Sequence, residues 1–183
     1  VTGLRPATPA DAGAIGAIYA SCWRDAYPGL VPNRVLLRMT PKGQAESWSH
    51  TLRHDGGRGY VQVATGSDGT IVGFGSCGGS RTPDLPFGGE VFTLYVEADA
   101  RGQGHGRALL RAMLARLAAD GRRGALVWVL ARNPARHFYA ALGGRLVAEK
   151  TERLWGADLP QRAYGWADLA AALAGPLGAR AAS

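Results

Sequence analysis

The order of apolar and polar positions divides the chain into alternating strand-like and helix-like segments. LRPATP reads as a first strand running into a turn. From Asp11 to Tyr27, the residues Ile15, Ile18, Tyr19 and Cys22 fall on one face of a helix, with Thr8 or Asp11 as its cap and Pro28-Gly29 as its break. Asn33 to Met39 and Gly43 to His54 predict two further helical pieces. GYVQVA and TIVGFGSC flank Ser67-Asp68-Gly69 and predict a hairpin. A loop rich in Gly and Pro follows, from Gly78 to Gly89. EVFTLYVEA is β-branched and aromatic, which predicts a strand. It ends at the segment RGQGHG, Arg101 to Gly106. Leu109, Leu110, Met113, Leu114 and Leu117 then repeat at helical spacing, closed by Asp120-Gly121. ALVWVLA, Ala125 to Ala131, reads as a buried strand, and Asn133 to Leu142 as a helix ended by Gly143-Gly144. Two last strands, near Arg145 to Leu154 and Gln161 to Trp166, form a hairpin around Gly156, Asp158 and Pro160.

This order gives a mixed α/β domain with helices near the N-terminus, a central sheet and a final hairpin. With 183 residues and no linker or repeat, one domain is expected over residues 1–167. Residues 168–183 form an Ala-rich tail, expected to hold a helical turn or two before disorder.

Composition narrows the function. Hydrophobic residues make up 46% and charged residues 19%, which excludes a disordered chain. The longest apolar run is far below the roughly 20 residues of a membrane helix. The first residues show no basic start followed by an apolar block, so no secretion signal is expected and the cytoplasm is the default compartment. Cys22 and Cys77 lie far apart and in no metal-ligand spacing, so no metal site is expected. His50 and His54 lack a third ligand nearby and read as surface residues. The net charge is +7, almost all of the positive part from Arg. Nucleic acid, an anionic membrane surface and a phosphorylated cofactor all suit that charge, and an Arg-rich, GC-biased genome would produce it as well.

The Gly loop sharpens the choice. A strand, then glycines, then a helix leaves backbone N–H groups pointing outward at the positive end of the helix dipole, where phosphate can approach. GxxxxGK[ST] is absent, which excludes a P-loop. A dinucleotide fingerprint starting at Gly102 fails because its third glycine would be Arg107. What fits is [R/Q]-x-x-G-x-G, as Arg101, Gly104 and Gly106. Six Arg and one acid, Asp120, lie between Arg101 and Arg123.

Together with NPARHFYAALGG from Asn133, the loop makes the chain resemble the GNAT superfamily of general-control-related N-acetyltransferases. That family carries [R/Q]-x-x-G-x-[G/A] and often N-x-x-A-x-x-F-Y-x-x-x-G. The segment supplies Asn133, Phe138, Tyr139 and Gly143; counted from Asn133 the alanine of the second pattern falls on Arg136, and Ala135, Phe138, Tyr139 and Gly143 each stand one place early while keeping the pattern's mutual spacing. The resemblance runs from about Glu90 to Gly144, and CWRDAYPGLVP and AYGW are typical of bacterial members. It implies a mostly antiparallel central sheet flanked by helices, with a C-terminal β-hairpin.

The resemblance also implies a reaction: acetyl transfer from acetyl-CoA to a primary amine of a small molecule or peptide, by direct attack in a ternary complex. The pyrophosphate would rest on the amides of Gly102, Gln103, Gly104, His105, Gly106 and Arg107, with Arg101 adding attraction. The ring of His105 is expected to face solvent. The pantetheine arm would pair with the strand at Leu94, Tyr95 and Val96, and an N–H near Leu94 would meet the oxyanion. An amine attacks only when neutral, so a base is needed. Glu90 is the candidate: strict alternation puts it on one face with Phe92, Leu94 and Val96, where partial desolvation would make it a better base. Glu97 is the weaker rival. Tyr139 would protonate the departing sulfur, and Asn133 and Phe138 would complete the cofactor site. The acceptor site is expected between the first helices and the loop after the second hairpin strand, with Trp23, Tyr27 and Trp48 as candidate walls and Trp128, on the strand facing the CoA groove, as another.

A non-catalytic acetyl-CoA sensor is the alternative, and a nucleic-acid binder ranks last, because no aromatics interleave the Arg cluster. The expected partners are therefore acetyl-CoA and an amine, with neither nucleic acid nor membrane, and the resemblance admits a homodimer.

Overall fold

The helical spacing of Ile15, Ile18 and Cys22 produces α1 (Ala12–Ala26), whose apolar side packs on the sheet against Val61, Val63 and Phe74. The computed structural model describes residues 3–54, 59–175 and 177–178. Before α1 come β1 (Leu4–Pro6) and a 3-10 turn at Pro9–Asp11; after it come α2 (Asn33–Arg38) and α3 (Pro41–His54). Next are β2 (Gly59–Thr65), β3 (Ile71–Gly79), β4 (Gly89–Val96), a 3-10 turn at Ala98–Ala100, α4 (His105–Ala119) and β5 (Ala125–Leu130). The chain continues through α5 (Ala135–Ala141), β6 (Arg145–Leu154), β7 (Ala157–Trp166) and α6 (Leu169–Ala174). The strands form one seven-stranded sheet in the order β1-β2-β3-β4-β5-β7-β6. Every neighbouring pair is antiparallel except β4 and β5.

Asp11 shows how the chain entry is fixed. Its carboxylate accepts from the Thr8 N–H at 2.7 Å and from the Arg5 guanidinium at 2.7 and 2.8 Å. The Arg5 guanidinium, with the Thr8 bonds, holds this carboxyl well below the usual carboxylate range. The acid thus ties β1 to the start of α1 rather than capping α1 through its own side chain.

The two faces of the sheet carry different cores. On one face, α4 buries Leu110, Met113, Leu114 and Leu117 against Cys77, Val91, Val127 and Trp166. Leu169 and Leu177 belong to the same cluster, so the start of the Ala-rich tail packs against the domain. Pro176 and residues 179–183 of that tail lie outside the described residues. On the other face, α1 and α3 cover Val61, Val63 and Phe74, and Trp23, Val31, Val35 and Leu159 extend this layer toward β7. Cys22 and Cys77 are buried free thiols, and burial pushes the Cys77 thiol up to about 12.

Three local differences from the sequence pattern have physical reasons. β7 starts at Ala157 rather than Gln161 and takes Pro160 into the strand. Pro160 lies beyond the last β5 partner of β7, which is Leu130 opposite Gln161, so its missing N–H breaks no ladder bond there. The α5 helix starts at Ala135, because Pro134 takes the N-cap position and the Asn133 side chain, outside the helix, accepts from the Ala135 N–H. β4 holds a bulge: Ser76 faces Thr93 and Cys77 faces Val91, leaving Phe92 without an opposite residue.

Gly16 sets the distance between α1 and α3. A Cβ at this position would lie 2.4 Å from the Ala45 nitrogen and 2.8 Å from the Pro41 carbonyl oxygen, both backbone atoms. Glycine is a poor helix former, and here it permits two helices to touch. Gly16→Ala is therefore expected to destabilise the protein by about 1–3 kcal/mol, despite the better helix propensity of alanine. Thermal unfolding checks this, and an unchanged or higher Tm would contradict it.

Candidate active site

The site begins where two strands part. β4 and β5 pair at only three positions, Gly89 with Ala125, Glu90 with Leu126 and Val91 with Val127. Beyond them β5 stays with β7 and β4 stays with β3. The β4 edge from Phe92 to Val96 therefore offers backbone donors and acceptors to a gap rather than to a strand. A cavity of about 1020 Å³ opens in this gap, with Leu94, Tyr95 and Val96 on one side and Val129 and Leu130 on the other.

The Gly loop lies at one end of the cavity. Gly102 and Gly104 have φ of 77° and 87°, the left-handed region that glycine adopts without strain. A Cβ at either would meet nothing within 4 Å, so the space above this backbone is open. Ala108 is hydrogen-bonded to the Gly104 carbonyl at 3.0 Å. The amides of His105, Gly106 and Arg107 precede it in the first turn, where a helix offers them no carbonyl. An oxyanion fits such a cradle. Gly106 packs close to Phe138, whose ring lies 3.4 Å from the site of a Cβ.

The loop's side chains divide between cavity and scaffold. Arg101 and Arg107 line the cavity. Arg101 also donates from Nε to the Val96 carbonyl at 3.0 Å and lies 3.5 Å from the Asp25 carboxylate, bridging the loop to α1. Gln103 braces the loop by donating to the Asp99 carbonyl at 2.9 Å. His105 corrects the sequence expectation: its ring is 2% exposed rather than solvent-facing, because the first residue after the Gly104 cap turns inward. Burial pushes its pKa down, favouring the neutral ring. Two more of the six Arg serve the fold. Arg116 pairs with Asp120 at 3.0 Å and covers Tyr60, and Arg122 donates to the Gly88 carbonyl.

The α5 segment adds a buried phenol. Tyr139 lines the cavity, with its ring edge-on to Phe138 at 5.3 Å and to Trp166 at 6.4 Å. Burial pushes its pKa far up, so the hydroxyl is protonated and able to donate. Asn133 is buried at the mouth of this helix, and its Oδ1 accepts from the Ala135 N–H at 2.9 Å.

The other end of the cavity is aromatic and charged. Trp23 and Tyr27 stack at 4.4 Å and both line it; Trp23 Nε1 donates to the Tyr95 hydroxyl at 3.0 Å. Trp48 packs on Phe74 at 5.1 Å and belongs to the α1–α3 core instead of the cavity wall. Glu90 is 1% exposed. Its Oε2 accepts from the Arg81 N–H at 2.8 Å, and its Oε1 from Arg81 Nη2 at 2.6 Å and Nε at 3.1 Å. The bulge at Phe92 overturns the expected alternation. Val91 and Leu94 both turn toward α4, whereas Glu90 shares the opposite face with Tyr95.

Sequence reasoning did not find Arg81, Lys150, Glu152 or Trp155, all of which line the cavity. Lys150 and Glu152 carried a usable signal, being two apart on a strand and hence on one face. Arg81 lies in an irregular loop and Trp155 in a turn, where no period applies. Among the described residues no group of three or more His, Cys, Asp or Glu is placed to hold a metal ion, and no helix is long and apolar enough to cross a membrane.

Residues 57–143 match the model of an acetyltransferase (GNAT) domain. The chain is 31% identical to the uncharacterized N-acetyltransferase YuaI of Bacillus subtilis (strain 168), over 92% of this chain and 94% of that protein. Its fold is shared by a GNAT superfamily phosphinothricin acetyltransferase from Sinorhizobium meliloti in complex with acetyl-CoA, with a TM-score of 0.67 and 24% identity over 90% of this chain and 87% of that one. It is also shared by the PaiA N-acetyltransferase of Thermoplasma acidophilum in complex with coenzyme A, with a TM-score of 0.63 and 14% identity over 88% and 98% of the two chains. The relative, matched over 92% of this chain, and the matching domain model agree: the chain belongs to the GNAT family of acetyltransferases.

Proposed function

We propose that this protein transfers the acetyl group of acetyl-CoA to a primary amine by direct attack within a ternary complex. The observation that carries the reading is the parting of β4 from β5 into a cavity that ends at the amides of the α4 N-terminus. An extended chain of amides ending in a pyrophosphate has this same order of needs: strand-like partners first, then a positive helix end. The two structural neighbours solved with CoA or acetyl-CoA support it.

In this reading the amides of Gly102, Gln103, Gly104, His105, Gly106 and Arg107 hold the pyrophosphate. Arg101 and Arg107 add charge. The exposed backbone edge at Leu94, Tyr95 and Val96 pairs with the pantetheine amides, and Asn133 and Phe138 close the slot. Trp23 and Tyr27 wall the acceptor side.

Glu90 takes the proton that the acceptor ammonium must lose before it attacks. The amine nitrogen then forms a bond to the thioester carbon, and an N–H of the β4 edge near Leu94 stabilises the oxyanion. As the C–S bond breaks, the electron pair goes to sulfur. The Tyr139 hydroxyl donates its proton there, for which its high pKa and position on the wall suit it. The nitrogen, which still carries one proton more than an amide, gives it to the tyrosinate directly or through water and so restores Tyr139, and Glu90 releases its proton to solvent.

Saturating acetyl-CoA at about 100 times its Kd is expected to stabilise the protein by roughly 2.7 kcal/mol. Gly104→Asp is expected to abolish that thermal shift, because it places a carboxylate on a left-handed backbone facing the phosphate. A full shift in the variant would overturn the loop assignment. Tyr139→Phe is expected to lower kcat by about 100-fold with acetyl-CoA affinity kept; a wild-type kcat would remove Tyr139 from the reaction. Glu90→Gln is expected to lose more turnover at low pH, where the amine is protonated, than at high pH. An unchanged pH–rate profile would remove Glu90 as the base.

A further inference from the structure

The acceptor end of the cavity carries two ion pairs, and they have a common build. Arg81 contacts Glu90 at 2.6 Å and lies over the Phe92 ring at 4.3 Å. Lys150 contacts Glu152 at 3.0 Å and lies over the Trp128 ring at 4.5 Å. In each pair the cation is at least partly exposed, with 66% of the Arg81 side chain and 41% of the Lys150 side chain accessible. Each cation is thus positioned by a carboxylate and an aromatic face yet still open to the cavity. Among the described residues, Arg81 uses only its N–H, Nε and Nη2 on Glu90, so its Nη1 donors remain for a ligand. Glu152 accepts from Lys150 and from Gln161 on the same oxygen, Oε2, which leaves Oε1 open.

This arrangement discriminates between kinds of amine. The remaining charged residues of the cavity wall, Arg101 and Arg107, belong to the Gly loop. The acceptor end itself therefore holds two cations and two anions and is neutral as a set. A plain alkylammonium ion gains an attraction to each carboxylate and an equal class of repulsion from each neighbouring cation. A molecule with an ammonium and a carboxylate a few ångström apart meets both charges of a pair with the opposite sign. Its carboxylate would occupy the open donors of Arg81 while its ammonium approaches Glu90, the next group along.

Resting on the acetyl-transfer reading above, we propose that the acceptor is a carboxylated primary amine of the amino-acid type, recognised by Arg81 and Lys150. Arg81 is then a specificity-determining and positioning residue. When its guanidinium shifts to share donors with the acceptor carboxylate, its side-chain hold on Glu90 Oε1 loosens while its backbone N–H stays on Oε2, and Oε1 becomes free to receive the ammonium proton. An amine that lacks the carboxylate leaves Arg81 on Glu90 and the base occupied. The Trp128 floor is itself fixed, because its Nε1 donates to Thr82 Oγ1 at 3.0 Å, next in sequence to Arg81.

The test uses the intact protein and a matched panel: L-amino acids, the corresponding decarboxylated amines, and the corresponding amino-acid amides. Thiol release from acetyl-CoA is followed, and thermal shift of the CoA-loaded protein with each acceptor supplies a second readout. At least one carboxylated amine is expected to exceed its decarboxylated and amide partners by about 10-fold or more in kcat/KM, and to add stabilisation that its partners do not. Arg81→Gln is expected to collapse that ratio toward unity and to leave the acetyl-CoA thermal shift in place, with Arg81→Lys restoring part of it. Lys150→Met, which leaves the buried Glu90 pair intact, is expected to raise KM for carboxylated acceptors more than for plain amines and so keeps the test open should Arg81→Gln fold poorly. Equal or better turnover of the plain amines overturns this proposal alone. Acetyl-CoA stabilisation without turnover or added stabilisation by any carboxylated amine also overturns it. Absence of any acetyl-CoA shift would overturn the acetyl-transfer reading itself.

Discussion

The parting of β4 from β5 is the constraint on which the rest of this molecule depends. A sheet interior normally satisfies every backbone donor and acceptor. Here five residues of a central strand, Phe92 to Val96, have no strand partner along one edge. The break is held open from both sides. β5 is committed to β7 by six residue pairs, and β4 is committed to β3 as far as Val96. The α4 helix spans the seam on one face, burying Leu110, Met113, Leu114 and Leu117 against both halves. The opening therefore does not rely on mobility. It is a packed feature, and the Gly loop and Tyr139 line it because the elements that carry them flank the seam.

Charge is distributed along the cavity in the same ordered way. The sequence shows a surplus of Arg, much of it between Arg101 and Arg123. In the fold, some of that surplus is structural: Arg116 answers Asp120, and Arg122 answers the Gly88 carbonyl. The cations that line the cavity near the loop, Arg101 and Arg107, lie beside the N-terminus of α4. At the other end each cation has its own carboxylate. One end carries a surplus of positive charge and the other carries paired charges of both signs.

The fold class was legible because it rests on periodicity and turn chemistry. The helical spacing in α1 and α4, the Ser67-Asp68-Gly69 turn and the late hairpin all appear as the pattern predicts. The Gly loop was legible because φ near 80° at Gly102 and Gly104 demands glycine, which leaves a mark in the sequence. The bulge at Phe92 leaves no such mark. Phe92 is an ordinary strand residue, so strict alternation assigned Glu90 to the face of Leu94, and one unpaired residue reversed the relation. His105 was misread for a related reason, since the first residue after a helix cap can point either way until the core decides. Arg81 and Trp155 lay beyond the reach of pattern because they sit in connections, whose side chains are placed by tertiary contacts.

Trp155 carries one more consequence. It occupies the left-handed region, with φ of 52°, in the two-residue turn that it forms with Gly156 between β6 and β7. For a bulky residue this backbone is unfavourable by about 1–2 kcal/mol, so the turn persists through what surrounds it. Two contacts do this: the edge of its ring against Trp23 at 5.6 Å, and the Arg34 guanidinium on its carbonyl. Positions 23, 34 and 155 come from α1, α2 and the hairpin, yet they share one strained turn. Their substitutions are therefore thermodynamically coupled and non-additive. A glycine or asparagine at 155 would relax the backbone and at once devalue the other two contacts.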